Sequence, residues 1–215
     1  MKKIKISFYI NIVIFIFVLF GVVSMLTGFY FMGEEKLLTA TRLGAFKFFT
    51  VDSNVFMGII SLIFSVYEYK LINKKIEIPK ILYILKLMST LGVTITFLIT
   101  LLYLAPFYEN GFLVLYKNSN LFFHLIVPLL SLITFVFFEK SDKIEFRETF
   151  YGLIPFILYS IFYVLNILLN EKTIKYDFYN FTNNGKNSIV VALIVIMIFV
   201  YLIDLIIWFL NRKRD

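Results

Sequence analysis

The chain holds one histidine and no cysteine, so the side chains able to move a proton near neutral pH or to attack a carbonyl are few. His124 is the one imidazole, and Asn120 stands four residues before it, on the same face of any helix that contains both. Thr50 and Asn54 repeat that spacing in another apolar stretch. A threonine hydroxyl becomes a nucleophile only beside a base, and histidine is the side chain whose unperturbed pKa suits that task. Thr50 with His124 is therefore the sharpest chemical reading. Asp52 is turned about 200° from Thr50 on a helix and makes a poor third member. The competing reading is bland: a threonine bonded to its own helix, and an interfacial histidine with a satisfied ring. The lack of cysteine removes disulfides, thiolate nucleophiles and Cys-ligated metals, a lone histidine cannot build a multi-histidine site, and no Gly-rich phosphate loop is present. No metal and no cofactor is expected.

The elements that must position these residues are membrane spans. Of 215 residues 60% are hydrophobic, and the mean hydropathy is +0.89, which excludes an ordinary water-soluble globule. Six apolar stretches, 8–32, 48–67, 81–104, 121–138, 150–169 and 188–210, reach the length of about 18 residues needed to cross a hydrocarbon core. The longest connection, 170–187, is too short for a domain of its own. The fold class implied is an all-α membrane protein, a bundle of six transmembrane helices forming a single domain over 1–215. The N-terminal apolar run is too long for a signal-peptide core and reads as an uncleaved first helix.

Charge gives sidedness. Of the 21 basic residues, thirteen fall in the two tails and the second and fourth loops (Lys2, Lys3, Lys5; Lys70, Lys74, Lys75, Lys80; Lys140, Lys143, Arg147; Arg212, Lys213, Arg214). Seven fall in the other loops (Lys36, Arg42, Lys47; Lys117; Lys172, Lys175, Lys186), and Lys86 lies within a span. The positive-inside rule then places both termini in the cytoplasm. The formal charge of +7 is thereby a matter of topology, and no nucleic-acid partner is expected.

Thr50 lies two residues inside its span and His124 three, so both sit roughly 3 to 5 Å below the outer boundary and are expected to share one level, with the Thr50 hydroxyl within hydrogen-bond reach of a His124 ring nitrogen directly or through one water. Around them the sequence resembles a known family. Lys47-Phe48-Phe49-Thr50 and Asn120-x-x-x-His124 resemble the androgen-induced and androgen-dependent TFPI-regulating family of six-helix membrane proteins, threonine hydrolases that cleave fatty acid esters of hydroxy fatty acids. Phe49-Thr50-Val51-x-Ser53-Asn54, His124-x-x-Val127-Pro128-Leu129 and the outer Tyr176-Asp177-Phe178-Tyr179 are similar to bacterial six-helix membrane proteins. The resemblance implies a bacterial plasma-membrane protein with Thr50 as nucleophile and His124 as base, acting on a membrane lipid ester without a cofactor. Asn54, Asn120, Asn166 and Tyr179 are then the candidate substrate or oxyanion donors, against the alternative that the asparagines are interhelical glue.

A second function class is a non-enzymatic binder or transporter of a small molecule or lipid, with Pro128 and Pro155 helping to open a cavity. A scarcity of buried acids speaks against active transport, since Asp204 and Asp52 are the only acids within the assigned spans. At the inner side Lys86 and Asp204 lie at matching depth and are expected to pair across the bundle.

Overall fold

The computed structural model of the chain describes residues 1–33, 42–169, 177, 179, 181 and 186–212; Lys36, Lys172, Lys175, Tyr176, Phe178, Lys213 and Arg214 lie outside them. Six helices are long and apolar enough to span a membrane: α1 Lys2–Thr27, α2 Phe49–Lys74, α3 Lys80–Phe107, α4 Ser119–Phe138, α5 Phe146–Leu169 and α6 Ser188–Asn211. No strand occurs among the described residues. Helices are the economical solution because hydrocarbon offers no water to satisfy the backbone. An even number of crossings brings both termini to one end, here the terminal end; the other is the far end.

The ends of the helices follow backbone chemistry rather than hydropathy alone. α1 stops at Gly28, whose φ of 70° suits a residue without a Cβ. The Gly28 and Phe29 N–H groups donate back to Met25 and Ser24, so the span ends five residues earlier than its apolar run. α2 instead continues through charged residues to Lys74, seven residues beyond its apolar stretch. That extension carries Glu68 into the bundle, where it is buried.

α1 packs along α2 and α2 along α3, α4 closes this group against α1 and α3, and α5 and α6 lean on α3 from the other side. α3 is therefore shared by both halves. Leu87 and Leu91 of α3 meet Val200 and Ile207 of α6 and Phe135 of α4. Lys86, rotated about 100° from Leu87, faces the opposite half.

That rotation overturns the expected pairing of Lys86 with Asp204. Lys86 Nζ donates to Asn11 Oδ1 of α1 and, at 3.0 Å, to Ser61 Oγ of α2, and lies 3.6 Å from Glu139 Oε1. Both Asp204 carboxyl oxygens are buried on α6 without a hydrogen-bond partner among the described residues. Nor are buried acids scarce. Glu68 and Glu139 are 2% and 4% exposed; each stands just beyond an apolar stretch, where counting hydropathy alone places it in a loop.

α4 contains two wide turns in which the hydrogen-bond ladder slips from i→i+4 to i→i+5. In Phe122–Ile126 the Val127 N–H donates to Phe122 O. In Thr134–Phe138 the Glu139 N–H donates to Thr134 O at 3.0 Å. Each slip leaves the next carbonyl, Phe123 O or Phe135 O, without its usual donor, and Pro128 has no N–H to offer Phe123. A buried carbonyl left unmet costs about 1–3 kcal/mol. Two asparagines from neighbouring helices fill the gaps: Asn54 Nδ2 donates to Phe123 O at 3.0 Å, and Asn211 Nδ2 to Phe135 O at 2.6 Å.

Candidate functional site at the far end of α2 and α4

Thr50 is the second residue of α2 and half-buried. Its hydroxyl makes no hydrogen bond among the described residues. Thr27, Ser65, Ser89, Thr96, Ser131 and Thr134 return a hydroxyl to their own helix, whereas the Thr90 and Thr94 hydroxyls of α3 are, like that of Thr50, without a partner among the described residues. The Thr50 carbonyl accepts instead, from Ser53 Oγ at 3.1 Å and Asn54 Nδ2 at 2.8 Å.

His124 lies in the first wide turn of α4 and is 6% exposed. Wide turns are often found where a helix must aim a functional side chain. Its Nδ1 sits 2.9 Å from Leu115 O, in the loop before α4. A carbonyl can only accept, so Nδ1 carries the proton and Nε2 is left as a bare lone pair. Next to Leu115, the Tyr116 hydroxyl is buried without a partner among the described residues, and burial raises its pKa above the ordinary phenol range. Sequence reading gave no signal for either residue, because a backbone carbonyl in a loop carries none.

Thr50 and His124 are brought to the same end of neighbouring helices but are not hydrogen-bonded to each other. The Asn54–Phe123 contact sets Asn54 level with Phe123 and hence with His124. α2 and α4 run in the same direction, so Thr50, one turn before Asn54, stands about 5 Å nearer the far end, level with Asn120. The expected shared level is thus corrected by one turn.

The four expected donors divide. Both Asn54 N–H groups are committed, to Thr50 O and Phe123 O, so Asn54 fixes the register of α4 against α2 and has no donor to spare in this arrangement. Tyr179 sits at the start of α2: its hydroxyl accepts from Phe49 N–H at 3.2 Å and lies 3.2 Å from Tyr159 Oη. Tyr159 Oη, the donor to Tyr179, also lies 2.6 Å from Lys47 O, which ties both tyrosines to the backbone that enters α2. Tyr179 is a cap for the helix that carries Thr50. Asn120 is buried in the first turn of α4, and Asn166 is half-buried on α5, three residues beyond Tyr163.

Asn118 was missed by sequence reasoning. It initiates α4 from a left-handed φ of 53°, accepts from Met32 N–H at 2.8 Å and donates to Gly33 O at 3.1 Å. The asparagine at 118 was visible in the sequence, but the loop it clasps was not. Comparison of the chain with protein-family models, with curated proteins and with solved structures returns no match, so the chemistry of this site is argued from its own residues.

Proposed function

We propose that the chain is an intramembrane hydrolase of lipid esters. The observation that carries this reading is the His124 ring, held through Nδ1 by Leu115 O so that Nε2 is the basic nitrogen, at the same end of the bundle as a threonine hydroxyl free of its own helix. Thr50 Oγ1 attacks the ester carbonyl and His124 Nε2 takes its proton, directly once substrate is bound or through one water. The carbonyl carbon passes through a tetrahedral oxyanion. The C–O bond to the leaving alcohol then breaks, and His124 returns the proton to that alcohol. Water, activated by the same nitrogen, releases the acid from the acyl-threonine. Asn120, about level with Thr50, is the proposed oxyanion donor, because both Asn54 N–H groups are committed and Tyr179 caps α2. The proposed setting is the bacterial plasma membrane with both termini in the cytoplasm, which puts the far end at the outer leaflet, where a lipid ester presents its carbonyl.

Labelling of purified protein with a fluorophosphonate probe tests the nucleophile. Label on the wild type and none on Thr50→Ala is expected; equal label on both rejects the reading. Binding or transport of a small molecule or lipid is the second reading, favoured by the buried acids Glu68 and Glu139 beside Lys86. Probe-insensitive protein that moves a solute across proteoliposomes would establish it instead.

A further inference from the structure

Near the terminal end, three helices and the residue that follows α4 direct polar side chains into one buried cluster, away from Thr50 and His124. α1 contributes Ser7 and Asn11, α2 Ser61 and Glu68, and α3 Lys86; Glu139 follows directly after α4. All six are at most 4% exposed. The Asn11 amide is the hub: its Nδ2 donates to Glu68 Oε2 at 3.0 Å and to Glu139 Oε1 at 2.7 Å, while its Oδ1 accepts from Lys86 Nζ. Ser7 Oγ also donates to Glu139 Oε1, at 2.9 Å. The Phe64 ring covers the ammonium, 5.5 Å from its centroid.

The charges in this cluster do not balance. Two carboxylates against one ammonium leave a net negative charge in a region buried from solvent, where an uncompensated charge is costly. The carboxylates cannot separate to relieve it, because one amide nitrogen holds an oxygen of each and keeps those oxygens within about 6 Å. Other charged and titratable groups are few. The Tyr83 phenol lies on α3 beneath Lys143, whose Nζ is 5.8 Å from the ring centroid. Lys143 itself pairs with the exposed Glu77 at 3.1 Å. α6 presents a neutral group, the Asn211 amide, to the backbone carbonyl of Glu139 at 3.0 Å. Meanwhile Glu139 Oε2 is buried with no hydrogen-bond partner among the described residues.

We infer that Glu68, Glu139 and Lys86 form a membrane-buried proton-binding site, in which one exchangeable proton is shared by the two carboxyl groups and Lys86 is the counter-ion. The proton converts one carboxylate to the acid, and the cluster becomes neutral. The unpartnered Glu139 Oε2 and the oxygens of Glu68 are the positions open to it. The site does not depend on the hydrolase reading, since none of its residues reaches Thr50.

Infrared difference spectroscopy of the protein in lipid reads this site, because a protonated carboxyl has a C=O stretch distinct from that of a carboxylate. Asp204 is common to every form compared and cancels. Glu68→Gln and Glu139→Gln should each lose the same single band, since either leaves one carboxylate balanced by Lys86. Lys86→Met should roughly double the band, with both carboxyls then protonated. Retention of the full band in either glutamine variant overturns the proposal, because a carboxyl would be staying protonated beside an available ammonium. The wild type supplies a second measurement that needs no variant in the cluster. Raising the pH should convert a carboxyl band to a carboxylate band beyond that removed by Asp204→Asn, and a spectrum with no such band overturns the proposal equally.

Discussion

At the residue scale, the proposed chemistry separates cleanly from a structural role for the same side chains. Thr50→Ala removes a hydroxyl with no hydrogen bond to lose, so a change in melting temperature is not expected. Loss of general base catalysis typically costs 10²–10⁴-fold, and His124→Gln should lower turnover of a lipid ester by at least about 10². Unchanged turnover in both variants would sink the assignment. The histidine and the threonine were legible because one residue type was rare and the other lay at a helix start. The proton position on the imidazole was not, because it is set by the Leu115 carbonyl, which any residue could supply. Asp204 marks the opposite case. Its carboxyl group packs against Gly152 of α5, where a Cβ would come within 2.7 Å of Asp204 Oδ1. Gly152→Ala should therefore destabilise by about 1–3 kcal/mol through overpacking, and Asp204→Ala should relieve most of that loss in the double variant. Additive losses in detergent melting would mean that the two residues do not press on one another.

At the scale of elements, the six spans were legible and their ends were not, for reasons visible at particular residues. Apolar runs set which segments cross, but where a helix stops depends on a left-handed Gly28 or on a charged tail, such as Glu68 to Lys74, that remains helical beyond the apolar stretch. The wide turns of α4 were likewise silent in the sequence, apart from Pro128. They matter because each exposes a carbonyl that a neighbouring helix must answer, which converts a backbone irregularity into a docking point. Asn211 answers both Phe135 O and Glu139 O, at 2.6 and 3.0 Å. Asn211→Leu should then cost about 1–3 kcal/mol for the unmet carbonyls while leaving probe labelling of Thr50 unchanged, since the contact lies at the terminal end. A melting temperature equal to the wild type would show that other donors reach those carbonyls.

At the scale of the whole molecule, the bundle fixes that both termini share a side, and the basic residues propose which side. The described part of the terminal end includes Lys2, Lys3, Lys5, Lys70, Lys74, Lys75, Lys80, Lys140, Lys143, Arg147 and Arg212, whereas Arg42, Lys47 and Lys117 lie toward the far end. Arginine and lysine near span ends hold a segment on the cytoplasmic face, and the lipid-ester reading needs the far end to meet the outer leaflet. The chain offers an unusually clear test because it contains no cysteine, so a single introduced thiol is read without background. Glu109 and Lys75 are exposed in loops at the far and terminal ends. A membrane-impermeant maleimide should label Glu109→Cys in intact cells and reach Lys75→Cys only after the membrane is opened. The reverse pattern would invert the molecule and move Thr50 and His124 to the cytoplasmic leaflet, with the bundle and its contacts unchanged. The substrate would then have to be an ester of the inner leaflet, so the labelling experiment decides which lipid pool to assay before any substrate is screened.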